Sequence, residues 1–501
     1  MREGSLIDIR SLVNVSVKAA RKSYYSSIIT KNKDNLKLLY KTINALVDEN
    51  EQTILPTSSN YEELANEMAE FFHNKVSRIR SSFASDQNPS DHSQSNTAIQ
   101  YTNGNPKFDS FNPISADVAR KLINEMNNKE CLSDPITVLF IKNNLDDFLP
   151  ILVEIVNKAL ITGTFPNDLK HAVVSPIIKD KILDSETNDN YRPVSSLPYL
   201  SKLIEKAALS QLNGYLKENS HIPAYQSAYM KGHSCETALC KVSNDVQTML
   251  SDGKAVLLVQ LDLSAAFDTV DHSVLIDLLE NKYGINGSAL NFFKSYLTGR
   301  SFSVKIKHVQ GGRIMLIYGV PQGSILGPLL FILYTSDLPG IAAKHQVSIH
   351  SYADDGQLYI GFEPSRNYTS SMKKMKSCIE EINTWMKSKF LKLNVGKTEV
   401  LFIGKPQDHA LYNMNIEIGN KVYNSSPIKG WDHPKFFSNK IFGIFAYSQK
   451  TQKKKIFETN LSVIRLSWAP RRAKNRKCQI WSKIEKRANF QHFSKIPKMC
   501  E

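Results

Sequence analysis

Three aspartates in two short segments are the residues of this chain best placed to do chemistry. Asp262 lies in QLDLSAAFDTVDH (260–272), at the C-terminal end of the apolar run Ala255–Leu263. Asp354 and Asp355 lie in SYADDGQLY (351–359). The runs Val347–Tyr352 and Gln357–Phe362 on either side predict a hairpin with Asp354-Asp355-Gly356 at its tip. If the three strands neighbour one another, three carboxylates meet at one edge of a sheet. Carboxylates that close repel and raise each other's pKa. A hard cation such as Mg²⁺ relieves the repulsion, because it takes a few carboxylates together with substrate phosphates. Two such ions, about 3.5–4 Å apart, clamp the attacking and leaving oxygens of an in-line phosphoryl transfer. Each segment alone has a plainer reading, Asp262 as a strand-end cap and Asp-Asp-Gly as ordinary turn chemistry. Their joint occurrence, in this order, favours the metal site.

The elements that must position these residues follow from apolar periodicity. A helix is expected from about Asp271 to Lys282 and another over Ala289–Leu297. Phe302–Lys307 and Ile314–Val320 alternate like strands joined at Gln310-Gly311-Gly312, and Ile325–Tyr334 reads as an apolar helix. Met372, Met375, Ile379, Ile382 and Met386 mark a long helix, and Val400–Ile403 a closing strand. This order predicts an α+β fold, a split βαβ unit with helices on one face of an antiparallel sheet. Upstream, residues 1–83 read as helical, with Val13, Val17, Ala20, Tyr24 and Ile28 on one face. A second helix from Tyr61 to about Arg80 carries Leu64, Met68, Phe71, Phe72, Val76 and Ile79. Residues 84–112, rich in Ser, Asn, Asp and Gln, read as a disordered linker.

Composition sets wider bounds. A chain of 501 residues with 42% hydrophobic content can fold two or three domains. The net charge of +15 is uneven: residues 427–501 hold 18 Lys and Arg against 4 Asp and Glu. That basic tail has little helical periodicity and is expected to be disordered, with nonspecific, salt-sensitive attraction to nucleic acid. The six cysteines form no CxxC pair, which argues against a zinc site or a disulfide framework. With no signal-like N-terminus and no membrane-length apolar run, the chain reads as intracellular, in cytoplasm or nucleus.

Six segments, taken in order, resemble one family. DLSAAFDTVDH, GVPQGSILGPLLF, YADD and LNVGKTEVLFIG look like successive palm motifs of reverse transcriptases of non-LTR, LINE-like retrotransposons, Jockey-like ones in particular. NYRPVSSLPYLSKLIEK and YQSAYMKGHSCETAL look like finger motifs of the same family. The resemblance covers about residues 130–420. It implies a right-hand polymerase fold: fingers over 113–254, palm over 255–426, the reverse transcriptase domain as a whole about 160–426. Residues 1–83 are similar to the helical linker that follows an endonuclease in such elements. With no endonuclease motif present, the chain is expected to be a piece of a longer polyprotein, the endonuclease being supplied in cis there or in trans. The implied activity is RNA-directed DNA synthesis on an RNA template, from a DNA primer and dNTPs, with two Mg²⁺ or Mn²⁺ ions.

The resemblance also implies roles for single residues. Asp262, Asp354 and Asp355 would hold the metals, with the carbonyl of Leu263 as a further ligand. Phe267 would be the steric gate against a ribose 2′-OH; its plain alternative is a core position. Gln322 and Gly323 would lie against the incoming nucleotide and template. Lys397 would donate a proton to the leaving pyrophosphate or neutralise its charge, unless it is simply solvated. Arg192 would reach the template or triphosphate from the fingers, unless it is a surface residue. Three departures stand out. Met230 occupies a position where the family usually has Arg, with Lys231 the nearest cationic substitute. Gly356 follows YADD where Thr is usual. The match breaks near Pro427, so no family thumb is expected. A weak or silent remnant that binds nucleic acid nonspecifically is the alternative function.

Overall fold

The computed structural model describes residues 23–24, 26–28, 54–84, 107–128, 131, 133–180, 182–394, 396–404, 415–418 and 421–424. The tail 427–501, most of the expected linker and most of the expected helix over Val13–Ile28 lie outside the described residues. The chain divides into two compact units, residues 1–57 with 177–190 and residues 58–176 with 191–501. Within the first, the Glu186 carboxylate accepts from Thr57 N (3.1 Å) and Oγ1 (3.0 Å). Asp184 closes its turn by accepting from Glu186 N (3.0 Å) and Thr187 Oγ1 (2.8 Å).

In chain order the described elements begin with α1 (Tyr61–Ala84), α2 (Ala116–Glu125), α3 (Val138–Asn143) and α4 (Leu145–Thr162). There follow β1 (His171–Ile178), β2 (Tyr191–Ser196), α5 (Tyr199–Glu218) and α6 (Cys235–Ser251). Next come β3 (Ala255–Leu261), β4 (Leu263–Ser264), α7 (His272–Asp277), α8 (Gly287–Leu297), β5 (Arg300–Ile306), β6 (Val309–Gln310) and β7 (Ile314–Leu316). The chain continues through α9 (Gly327–Tyr334), α10 (Leu338–Lys344), β8 (Ser348–Tyr352), β9 (Asp355–Phe362) and α11 (Tyr368–Ser388). It closes with β10 (Lys392–Leu393), β11 (Glu399–Ile403), β12 (Asn415–Ile418) and β13 (Lys421–Asn424). Local chemistry sets several boundaries. Ser234 and Thr237 form a reciprocal capping box at the start of α6. Gly163, at φ +65°, ends α4 in the left-handed conformation.

The sheet that carries the aspartates runs β11-β3-β9-β8, every neighbour antiparallel. Strand alternation divides its side chains between two cores. Leu257, Val259, Leu358, Ile360 and Phe402 face the larger core with Met375, Ile379, Ile382 and Met386 of α11. Val256, Leu258, Tyr359, Leu401 and Ile403 face a second cluster built by Ala238, Leu239, Val242, Val246 and Leu250 of α6. The expectation of helices on one face is therefore corrected: both faces are covered. The reason is in β3 itself, which is buried at all seven positions and so must be roofed on both sides.

A second sheet sets β1 parallel to β5, with β6 and β7 antiparallel to β5. Helix α1 packs across β5, β6 and β7. Residues 61–84, expected in a linker, thus belong to the packed unit. Asn66 Oδ1 accepts from Gly312 N at 2.7 Å, and the Arg80 guanidinium lies between the rings of Tyr318 (3.7 Å) and Phe390 (4.0 Å). The strand expected over Ile314–Val320 stops at Leu316. Beyond it the backbone bonds to the turn after β4 instead, Gly319 N to Val270 O (2.8 Å) and Val320 N to Phe267 O (2.9 Å).

Candidate active site

Register brings the three aspartates together. Leu261 pairs with Gly356 in the β3–β9 ladder, so the next residue on each strand, Asp262 and Asp355, sits at the same edge. Tyr352 pairs with Asp355, which leaves Ala353 and Asp354 as a two-residue turn. The expected tip of Asp354-Asp355-Gly356 is thus shifted back: Asp355 and Gly356 belong to β9. Ala353 carries φ +58°, a conformation costly for a residue with a Cβ, on the order of 1–2 kcal/mol.

The surroundings hold that strained tip. Gln226 Oε1 accepts from Ala353 N at 3.1 Å, and Gln226 Nε2 donates to Ala353 O at 3.4 Å. The same segment pairs with the edge of β8, Ser351 N donating to Tyr225 O (2.8 Å) and Ser227 N to Ser351 O (3.1 Å). On the other side Asn394 grips Asp262 twice, backbone N to Asp262 O (2.8 Å) and Nδ2 to Oδ2 (2.9 Å). Leu263 continues into β4, which pairs with β10 through Leu393.

Burial raises the pKa of Asp354, with Asp262 adding to the rise and Arg192 opposing it. Asp355 is pushed up to about 7 by burial, then by Asp354 and Asp262, while Arg192 and Lys397 pull it down. Arg192, half-buried on β2, and Lys397, exposed after β10, therefore both stand within electrostatic reach of the carboxylates. Lys231 does not belong to this group. It is exposed, and its charge contributes, after Lys206 and Lys121, to lowering the pKa of Glu125. Met230 is half-buried beside it.

The donor set suits a hard divalent cation: oxygen ligands only, with mutual repulsion that a cation would relieve. As the side chains stand, no three His, Cys, Asp or Glu among the described residues converge on one point. Asp262 Oδ2 is turned towards Asn394 instead. The carboxylates are gathered at one sheet edge by the backbone register.

Phe267 is half-buried and stacks on Phe331 at 4.7 Å with 29° between the ring planes. Gly323 has φ +112°, and a Cβ there would meet Ser195 O at 2.4 Å. The close approach that demands glycine is therefore to the β2 backbone. Gln322 O accepts from Ser195 N at 3.0 Å, and Gln322 Nε2 lies 3.1 and 3.0 Å from the two carboxylate oxygens of Asp268. Glu205, fully buried on α5, holds the following loop by accepting from Ile325 N (2.8 Å) and Leu326 N (3.0 Å).

Gln226, Asn394, Asp268 and Glu205 escaped the sequence reading. Each lies within or beside a segment already singled out, but a polar residue at such a place carries no signal until its partner is known. Tyr229 was also missed. It is 62% exposed at φ +60° and within electrostatic reach of Asp354. A strained non-glycine residue beside a reactive cluster was the signal to follow.

Comparison with known proteins points to one family. A family model described as reverse transcriptase (RNA-dependent DNA polymerase) matches residues 178–440. Its end lies beyond the break expected near Pro427. A probable RNA-directed DNA polymerase from transposon BS of Drosophila melanogaster is 30% identical over 252 residues, covering 49% of this chain and 27% of that protein. The RNA-directed DNA polymerase from mobile element jockey of Drosophila funebris is also 30% identical over 252 residues, 48% of this chain and 27% of its own length. The corresponding X-element protein of Drosophila melanogaster is 28% identical over 241 residues. The chain spans about a quarter of the length of these relatives.

Proposed function

This chain belongs to the reverse transcriptase (RNA-dependent DNA polymerase) family, and on that premise we propose that it extends a DNA primer on an RNA template, as part of the replication machinery of a non-LTR retrotransposon. The observation that carries the reading is the β3–β9 register, which sets Asp262 beside Asp355 with Asp354 in the adjoining turn. The pull of Arg192 and Lys397 on Asp355 supports it further.

In the proposed reaction the primer 3′-oxygen bonds to the α-phosphorus of a dNTP, the bond to pyrophosphate breaks, and the 3′-OH proton leaves to solvent. Asp262, Asp354 and Asp355 would hold two divalent ions, Mg²⁺ or Mn²⁺, with the Leu263 carbonyl as an added ligand. When bound, those ions supply charge neutralisation at the attacking and leaving oxygens. Asn394 and Gln226 hold the backbone at Asp262 and at the hairpin tip, so the strand positions of the carboxylates are set before substrate arrives. Arg192 offers cationic charge to the triphosphate, and Lys397 offers charge or a proton to the pyrophosphate. Phe267 stands on the site side of α9 as the residue that would exclude a 2′-OH.

Primer extension on an RNA template with the purified chain tests the proposal. Asp262→Asn and Asp355→Asn should each lower the rate by at least about 10²-fold, roughly 3 kcal/mol of transition-state stabilisation, with the fold retained. Extension by both variants at the wild-type rate would sink the assignment. Met230 favours one second reading, a catalytically weak remnant that still binds nucleic acid. Restoring the family's residue by Met230→Arg would then raise extension through a lower KM for dNTP.

A further inference from the structure

Two aspartates six and nine residues beyond Asp262 use their carboxylates in opposite ways. Asp271 does what an aspartate at a helix start usually does: it caps α7, accepting from Ser273 N (2.9 Å) and Val274 N (3.1 Å). Asp268 caps nothing. Among the described residues its carboxylate accepts from one group only, the Gln322 amide, at 3.1 and 3.0 Å. That partner is 54 positions away in sequence. Burial is the largest influence on Asp268 and raises its pKa to about 6, with the Gln322 bond and the charge of Lys75 on α1 opposing the rise and Asp354 adding to it. A half-buried carboxylate therefore stands next to the site and holds a single side-chain amide. The same segment is fixed around it. A Cβ on Gly319 (φ +83°) would lie 2.7–2.9 Å from Asp268 backbone atoms, so the segment leading to Gln322 lies directly on the Asp268 turn.

We propose that Asp268 is a positioning residue, which orients the Gln322 side chain so that its Oε1 is presented to the incoming nucleotide as a hydrogen-bond acceptor. The chemistry is one of elimination. An ionised carboxylate only accepts, so the amide atom facing it must be Nε2, and the two amide atoms point in opposite directions. No group among the described residues donates to Gln322 Oε1, and Gln322 is half-buried. Without Asp268 the amide is free to rotate, and half of its orientations present a donor where an acceptor is needed. The proposal rests on the polymerase reading and adds to it a residue that touches no substrate.

A double-mutant cycle on the full chain decides it. Primer extension and equilibrium dATP binding, the latter in Ca²⁺, are measured for wild type, Asp268→Asn, Gln322→Ala and the double variant. Asparagine keeps the shape of Asp268 and removes its charge and one acceptor, so the melting temperature should hold. Asp268→Asn is expected to raise the dNTP KM and Kd about tenfold, with kcat changed less. In the Gln322→Ala background it should change nothing further, because the group it acts through is gone. Losses that multiply in the double variant, or a wild-type Kd in Asp268→Asn, overturn the proposal. A wild-type chain that binds dATP with the coupled cycle but extends no primer overturns the polymerase reading and leaves the Asp268 assignment standing. A wild-type chain that does neither overturns both.

Discussion

Phe267 shows how a single side chain can answer to two demands. Its ring stacks on Phe331, its carbonyl accepts from Val320 N, and it is only partly covered. A purely core phenylalanine would be covered, and a free gate would have no stack behind it. Phe267→Val should therefore do two separable things. Loss of the stack should cost about 1 kcal/mol of stability beyond the area lost, visible as a lower melting temperature. Loss of the ring should also lower the ratio of kcat/KM for dNTP over rNTP, by tenfold or more. If stability drops and the ratio does not move, Phe267 is core. The neighbouring carboxylates were legible as types and spacing alone, because metal-assisted phosphoryl transfer needs few and specific residues. Gln226 and Asn394 were not, because amides occur everywhere and only their distances to Ala353 and Asp262 give them meaning.

At the scale of elements, α1 is the helix expected from Tyr61 to about Arg80, and it packs against β5, β6 and β7. Its C-terminal turn reaches three segments that carry site residues. Arg80 Nη2 bonds Asp271 Oδ2 at 2.6 Å in a pair only 14% and 9% exposed. The guanidinium stacks on Tyr318, just ahead of Gly319-Val320-Pro321-Gln322, and on Phe390, just ahead of β10 and Asn394. Phe83 adds an edge contact to Phe390 at 6.4 Å. Removing one partner of such a pair leaves the other charge buried. Arg80→Ala should destabilise the chain by about 3 kcal/mol, read from the denaturation midpoint at unchanged slope. Arg80→Lys should recover part of that, since lysine keeps the charge but loses the planar double stack. A loss below about 0.5 kcal/mol for Arg80→Ala would mean that α1 is only draped on β5–β7.

For the molecule as a whole, the polar layer behind the hairpin ties stability to pH. His350 on β8 is 6% exposed and shares Ser227 Oγ with its Nε2 at 2.9 Å. Burial lowers its pKa to about 4, with Lys241 and His233 adding to the drop and Asp245 opposing it. The folded value lies below the ordinary one, so the unfolded chain takes up the proton first as pH falls. The stabilisation is complete above about pH 6.5 and is lost as pH falls from there through about 4. In His350→Gln, which cannot titrate, this component should vanish. The stability gap between wild type and variant should shrink by about 2 kcal/mol between pH 7 and pH 4, measured by thermal unfolding across that range. A constant gap would show that His350 takes up its proton at the same pH in the folded and the unfolded chain. Among the described residues no helix is long and apolar enough to cross a membrane.

Sequence by itself determined the family, the aspartate triad and the order of strands and helices around it. Those features are local, since β3 is apolar at every position but Gln260, α11 carries its Met and Ile at helical spacing, and the motifs stand in fixed order. Tertiary structure decided what depends on distant partners. The covering of both sheet faces follows from α6 and α11 arriving from opposite sides of β3. The place of the hairpin tip follows from the pairing of Tyr352 with Asp355, a register that the run SYADDGQLY allows at more than one position. Arg192 was expected at the template or triphosphate and Lys231 as a cationic substitute beside Met230, and only the fold put Arg192 within electrostatic reach of Asp355 and Lys231 within reach of Glu125. The physical reason is the same in each case: side-chain type and spacing are written in the chain, but the energy of a hydrogen bond or charge depends on what stands a few ångströms away. That is set by residues tens to hundreds of positions distant.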